Sequence, residues 1–434
     1  MKRFLAFLLA VMIVICMTAC GGDNNTPSTP ETTTEPEITG YLVPQPMTER
    51  PVYTLSENPT VDEMRDMAVK AMHDMLSIQW STEQVIDYNK TGAVSQKDYH
   101  YDPETIYCGL PYADGQTNLY VWLEYYDMRT GQLRMEGDGQ WLNDILGNTC
   151  AGSLMWAWST VCDSLTGKFV NTSMVPIYGC IPVGDYTCSA FAYMDEFYDY
   201  GTDRICSDNG LDVMFQSYAQ IKRADAITSS TKEHTMMATT DAVVVYNDDG
   251  TINAKESYIM VQDQAAGTGD KFFEHVGEDG NTYHYTGRTG PIELKCSFLW
   301  MFEAAYIPVT TVEFLGQEPY VKSEVKISKE CGSIDDLYSA TITANYPMCM
   351  FKIIATDANG KETAVHTVYF DRYDVQGSAG GMMDGKARNY KLSSDRMVIQ
   401  AALDELPAGT YTIKAEATSS TGEVFYPATF ELTK

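Results

Sequence analysis

Two residues offer the most direct chemistry in this sequence. Cys150 stands in Gly147-Asn148-Thr149-Cys150-Ala151-Gly152-Ser153, ahead of the apolar run Leu154-Met155-Trp156-Ala157-Trp158. Asn148 is a good candidate for a helix N-cap, which puts Cys150 in the first helical turn. The free N–H groups and the dipole of a helix start favour the thiolate, the reactive form of cysteine. Small Ala151 and Gly152 leave room for another chain to approach. Taken alone, a buried structural thiol or half of a disulfide is the simpler reading of Cys150. His234 is one of six histidines and opens the run HTMMATTDAVVVY, which is expected to form a strand. A histidine at that position can aim its imidazole at a helix terminus, or it can be an ordinary, satisfied side chain.

Other clusters carry less. His275 and His284 flank Glu274, Glu278 and Asp279, which invites a metal site. Their spacing fits no zinc-peptidase pattern, and a solvated hairpin is the better expectation. Asp248-Asp249-Gly250 resembles the start of a calcium loop but lacks ligands at the later offsets. Tyr193, Phe197, Tyr198 and Tyr200 would suit a sugar or peptide groove, or cover a core edge.

The elements around these residues follow from periodicity. Thr60-Val61-Asp62-Glu63 is a capping box, and Met64, Met67, Ala68, Ala71, Met72, Met75 and Leu76 recur at helical spacing, predicting a helix over 59–78. Helices are also expected over 148–166 and 211–223. Residues 235–246 and 257–264 read as strands joined through Asn247-Asp248-Asp249-Gly250. The last 115 or so residues hold seven short apolar runs, 321–327, 338–344, 350–355, 365–370, 397–402, 410–417 and 425–432, separated by turn residues. That pattern predicts an immunoglobulin-like β-sandwich over 319–434.

The chain has 434 residues, a net charge of −29 and 44% hydrophobic residues, enough apolar material for a large core. The acid excess argues against nucleic-acid binding, and no Gly-rich phosphate loop is present. Lys2 and Arg3 precede the apolar stretch Phe4 to Ile15, which is too short to cross a bilayer as a mature helix. Met17-Thr18-Ala19-Cys20 then resembles a bacterial lipoprotein signal, with Cys20 as the lipidated residue. The expectation is export, with a lipid anchor on the outer face of a bacterial membrane. Residues 21–58 are expected to be a disordered tether, on the strength of the Thr-, Pro- and Glu-rich run GGDNNTPSTPETTTEPEITG. Of the eleven cysteines, nine lie beyond Cys20. An odd number leaves at least one thiol without an intramolecular partner in an oxidising compartment. Cys180/Cys188 and Cys331/Cys349 are the plausible local pairs.

Cys150 and His234 together, in this order, resemble a family: the papain-like exported amidases, of the NlpC-type and CHAP-type cell-wall cysteine peptidases. Cys150-Ala151-Gly152 stands where those proteins show Asp-Cys-Ser-Gly, and Trp156-Ala157-Trp158 matches the aromatic continuation of their helix. Gly109-Leu110-Pro111-Tyr112 is similar to a Gly-x-Pro-Tyr segment ahead of the nucleophile. Arg223-Ala224-Asp225 takes the place of Pro-Gly-Asp, and Val261-Gln262-Asp263-Gln264 the place of the residue that orients the histidine. Thr149 replaces the usual Asp, and the 150-to-234 gap is longer than in compact members. The resemblance covers roughly 60–315. It implies an α+β class, with a papain-like domain over 59–318 ahead of the sandwich. It also implies catalysis by Cys150 and His234, with Asp263 or Gln264 as the orienting group, and Tyr112 and Trp156 at the substrate. No cofactor or metal is implied. The implied partner is peptidoglycan or another peptide substrate, cleaved at an amide bond. A degenerate binding or adhesion lipoprotein on the same fold is the alternative, and a structural adhesin with Cys150 in a disulfide is a third.

Overall fold

Two short strands show how the main sheet is covered. Neighbouring side chains on a strand point to opposite faces. Ala226 and Met237 join one apolar cluster, whereas Ile227, Met236 and Ala238 join another. The first cluster includes Met64, Ala68, Met72 and Met75 from helix α1 (Val61–Ser77) and Leu154, Met155 and Trp158 from helix α2 (Cys150–Ser159). The second takes Ile205, Met214 and Tyr218 from helix α3 (Thr202–Tyr218) and Phe298 and Met301 from helix α4 (Phe298–Glu303). The sheet therefore lies between two helical layers.

The structure is a computed structural model. It describes residues 35–87, 100–103, 105–112, 118–133, 147–165, 179–188, 200–264, 273–285, 292–370 and 385–434. In chain order the strands of the main sheet are β1 (Glu37–Tyr41), β2 (Cys180–Pro182), β3 (Ala226–Ser229), β4 (His234–Ala238), β5 (Tyr258–Gln262), β6 (Ile292–Ser297) and β7 (Ile307–Thr311). Their spatial order is β1-β6-β5-β4-β3-β7-β2, and every neighbouring pair is antiparallel. In β4 and β5, Met237 faces Gln262 and Ala238 faces Val261. A second sheet runs Phe273–Val276, Thr282–Tyr285, Ile106–Cys108, Ile78–Thr82, Gln132–Leu133, Tyr126–Asp127, with Gln45–Pro46 beside Ile78–Thr82. The architecture is mixed α and β, with mostly antiparallel sheets.

Several expectations about local structure need correction, among them the strand expected over 235–246, which ends at Ala238. Residues 37–41, assigned to the tether, form edge strand β1 against β6, with Ile38 opposite Leu294. The proline- and threonine-rich composition of 21–40 gives way near Ile38 to an apolar-containing stretch, and Leu42 just beyond is buried. Residues 397–402, read as a strand, lie in a helix, Arg396–Glu405. Ile399 and Leu403 are its buried residues, four apart, which is helical spacing. Helix α3 begins at Thr202, before the expected 211, and turns at Gly210, whose φ of 78° interrupts the helix.

Past residue 318 the chain forms a four-stranded antiparallel sheet, ordered Glu362–Tyr369, Met348–Thr356, Thr410–Ser419, Val424–Thr433. A three-stranded one is ordered Val325–Ile327, Thr341–Ala344, Asn389–Lys391. Phe351, Ile353, Ile413 and Phe430 share a core with Ile342 and Tyr390 between these sheets. Glu35–Lys434 makes one compact unit. Hydrogen bonds join this region to the end of helix α2 and to the segment that follows it. Ser420 Oγ donates to Ser159 O at 2.6 Å, Tyr346 Oη to Val161 O at 3.2 Å, and Arg388 Nη2 to Asp163 O and Leu165 O at 2.7 and 2.8 Å.

Candidate active site

Cys150 is the first residue of α2, because Thr149 caps the helix. Thr149 is extended, with φ −86° and ψ 170°, and its Oγ1 accepts the Gly152 N–H at 3.0 Å. Asn148, the expected cap, sits one residue too early for that reach. Its Oδ1 takes the Thr149 N–H at 2.9 Å, and its own N–H donates to Pro111 O at 2.8 Å. The Asn148 amide lies so close over the helix start that a Cβ on residue 152 would fall 2.1 Å from Asn148 Oδ1. Glycine at 152 is thus required by close approach. The N–H groups of the first turn have no acceptor inside the helix, so those of Cys150 and Ala151 remain to stabilise a negative charge.

His234 opens β4 and meets Cys150 at the end of the sheet. The thiol hydrogen-bonds the His234 side chain and the backbone N–H of Thr235. His234 Nε2 lies 2.6 Å from Asp263 Oδ1, which leaves Nδ1 as the ring nitrogen for the thiol. Cys150 is 4% exposed and the Asp263 side chain 7%. Burial pushes the Cys150 thiol up, but the hydrogen bond and charge of His234, with the Thr235 N–H, outweigh it and hold the thiol below its ordinary value. Burial alone would lower the His234 imidazole. The charge and hydrogen bond of Asp263, aided by Cys150, instead hold it well above its ordinary value. The pair therefore favours thiolate and imidazolium. Other thiols show the contrast. Burial pushes Cys162, Cys296 and Cys331 up, and Cys180 and Cys206 to about 12.

The remaining expected site residues divide. Asp263 touches His234, but Gln264 does not. Gln264 Nε2 donates to Leu110 O at 2.8 Å and to Asn148 O at 3.5 Å. Its amide is held there, so of Asp263 and Gln264 only Asp263 is placed to orient His234. The two residues follow β5, where the chain leaves the strand, and their side chains go to different partners. Tyr112 is brought to the site, its hydroxyl 4.0 Å from Cys150 Sγ. Trp156, expected at the substrate, is fully buried and packs edge-on against Tyr53 and Tyr120. All ten residues of α2 are buried, so Trp156 has no exposed face to offer a ligand. Asp225 pairs with the buried Arg65 of α1 at 2.8 Å, and Ala224 before it holds a left-handed φ of 68°, a conformation that glycine adopts most readily. The Thr235 N–H escaped the sequence reading because a backbone donor leaves no signature in residue type.

Cys180 and Cys331 are free thiols, as is Cys150, so neither Cys180/Cys188 nor Cys331/Cys349 is bridged. Each pair is split between cores: Cys331 packs with the C-terminal sheets and Cys349 with the α1–α2 cluster. The hairpin Phe273–Val276/Thr282–Tyr285 holds His284 3.6 Å from Glu274, while His275 stacks on Tyr41. No group of three or more potential metal ligands occurs among the described residues. Cys20, Tyr193, Phe197 and Tyr198 lie outside those residues. No described helix is long and apolar enough to cross a membrane. No family model, curated protein or solved structure matches the chain.

Proposed function

We propose that the protein is an exported, lipid-anchored cysteine hydrolase that cleaves amide bonds through a thioester, in peptidoglycan stem peptides or other envelope peptides. One observation carries the reading: the Cys150 thiol at a helix N-terminus is hydrogen-bonded to His234, and Asp263 holds that imidazole from the other side at 2.6 Å. The antiparallel sheet carrying His234 against the helix carrying Cys150 supports a papain-like arrangement, and the paired C-terminal sheets support an immunoglobulin-like module.

The chemistry follows from the contacts. The Cys150 thiolate attacks the amide carbonyl carbon, forming a C–S bond and an oxyanion. The N–H groups of the first turn of α2 face that charge, and the Tyr112 hydroxyl is near enough to add a donor. The C–N bond then breaks, and the His234 imidazolium gives its proton to the departing amine. Water attacks the thioester with His234 as base, and the carboxylic acid leaves as the thiolate returns. Asp263 fixes the imidazole and balances its positive charge. Cys150→Ala should abolish amine release from stem peptides read by mass spectrometry. His234→Ala should slow it by about 10²–10⁴-fold. Unchanged turnover in Cys150→Ala would refute the reading.

A further inference from the structure

The residue after Asp263 acts on the opposite half of the site. Gln264 is 4% exposed, and its amide spans two carbonyls from different segments, Leu110 O and Asn148 O. Leu110 lies two residues before Tyr112, and Asn148 two residues before Cys150. These segments also pair directly, since Tyr112 and Asn148 form a parallel bridge and the Asn148 N–H donates to Pro111 O at 2.8 Å. Asn148 ties the same point to helix α1, its Nδ2 lying 3.9 Å from Met75 Sδ. The Leu110 N–H donates to Met75 O at 3.3 Å. Gln264 thus sits across the joint that sets the Tyr112 hydroxyl over the Cys150 sulfur.

We propose that Gln264 is a positioning residue that acts through Tyr112: it clamps the 110–112 segment to the approach of the nucleophile helix, so that the Tyr112 hydroxyl meets the oxyanion formed on Cys150. This rests on the thioester reading above. The end of β5 then fixes both partners of the reaction. Asp263 sets the base, and Gln264 sets the donor to the oxygen. A displacement of about 1 Å at a reacting group can cost about 10²-fold in rate, and losing one oxyanion donor costs about 10²–10³-fold. The Gln264 side chain makes no hydrogen bond with His234 or Asp263, so replacing it leaves in place the His234–Asp263 contact that acts on the Cys150 thiol.

The test is acylation of the full chain by p-nitrophenyl acetate, followed as p-nitrophenolate release and as one acetyl group gained at Cys150. The thiolate attacks the ester carbonyl, a C–S bond forms, the ester C–O bond breaks, and p-nitrophenolate departs. Tyr112→Phe and Gln264→Met should each slow acylation by about 10²-fold. The double variant should be no slower than Tyr112→Phe alone, because the clamp works only through the hydroxyl. The pH dependence of iodoacetamide alkylation at Cys150 should stay as in the wild type for Gln264→Met. Gln264→Leu serves equally if the Met variant does not fold, as judged by its melting curve. Fully additive losses, an unaffected Gln264 variant, or a displaced alkylation profile would each overturn the proposal. A wild-type protein that takes no acetyl group at Cys150 would instead refute the thioester reading, and this proposal with it.

Discussion

At the scale of single residues, the site depends on two small facts of reach. Just past β5, Asp263 reaches His234, whereas Gln264 turns to Leu110 O and Asn148 O. Gly152 lets the Asn148 amide lie over the start of α2. Gly152→Ala should force the cap apart. The expected cost is about 1–3 kcal/mol of stability, measured by urea unfolding, together with slower Cys150 alkylation. A wild-type alkylation rate in a fully folded variant would mean that the cap does not set the thiol. Much of this site is legible in the sequence. Cys150 stands next to capping residues, and His234 begins an apolar, β-branched run, so both positions follow from local rules. The choice between Asp263 and Gln264 needs the strand register, and the burial of Trp156 needs the layers on both sides of α2. Neither lies within a short window of sequence.

At the scale of elements, a buried ion pair joins the helical layer to the sheet. Arg65 of α1 donates to Asp225 Oδ1 at 2.8 Å, to Arg223 O at 2.6 Å and to Phe314 O at 3.0 Å. Trp158 of α2 donates to Ala224 O at 2.7 Å, so both helices grip the same turn before β3. Removing one partner leaves a buried charge without compensation. Arg65→Ala should therefore cost about 3–5 kcal/mol in urea unfolding. A loss under about 1 kcal/mol would show that the pair is only a surface-like contact. The periodicity of the Met stripe makes α1 legible, but a stripe does not reveal that Arg65, beside Met64, is also turned inward. The error at 397–402 has a similar source. Met397, Val398 and Ile399 resemble a strand run, yet Met397 and Val398 are exposed, and the Ile399–Leu403 spacing decides for helix.

At the scale of the whole molecule, the C-terminal sheets complete the end of helix α2. Ser420 satisfies the Ser159 carbonyl in the last turn of α2, where an isolated helix leaves acceptors without donors, and Tyr346 and Arg388 hold the carbonyls of 161, 163 and 165 in the segment that follows. Tyr53 N–H also donates to Thr421 O at 2.8 Å, tying the region before α1 to the same turn. A chain cut after residue 318 should lose these partners. It should melt at lower temperature and less cooperatively than the full chain, by calorimetry. Equal melting of the two would show that the regions are energetically separate. The sequence pattern marks a change of strand character near residue 319, but a composition change does not disclose which backbone groups the two regions exchange.

The most direct test of the account is the rate of Cys150 alkylation by iodoacetamide as a function of pH, mapped by peptide mass spectrometry. With its ionisation lowered by His234, Cys150 should remain reactive below the free-thiol value of about 8.5 and lose reactivity only at still lower pH, as the thiolate takes a proton. The His234→Ala variant should shift that profile upward. A wild-type profile centred at or above the free-thiol value, unmoved by His234→Ala, would contradict the thiolate–imidazolium pair and the hydrolase built on it.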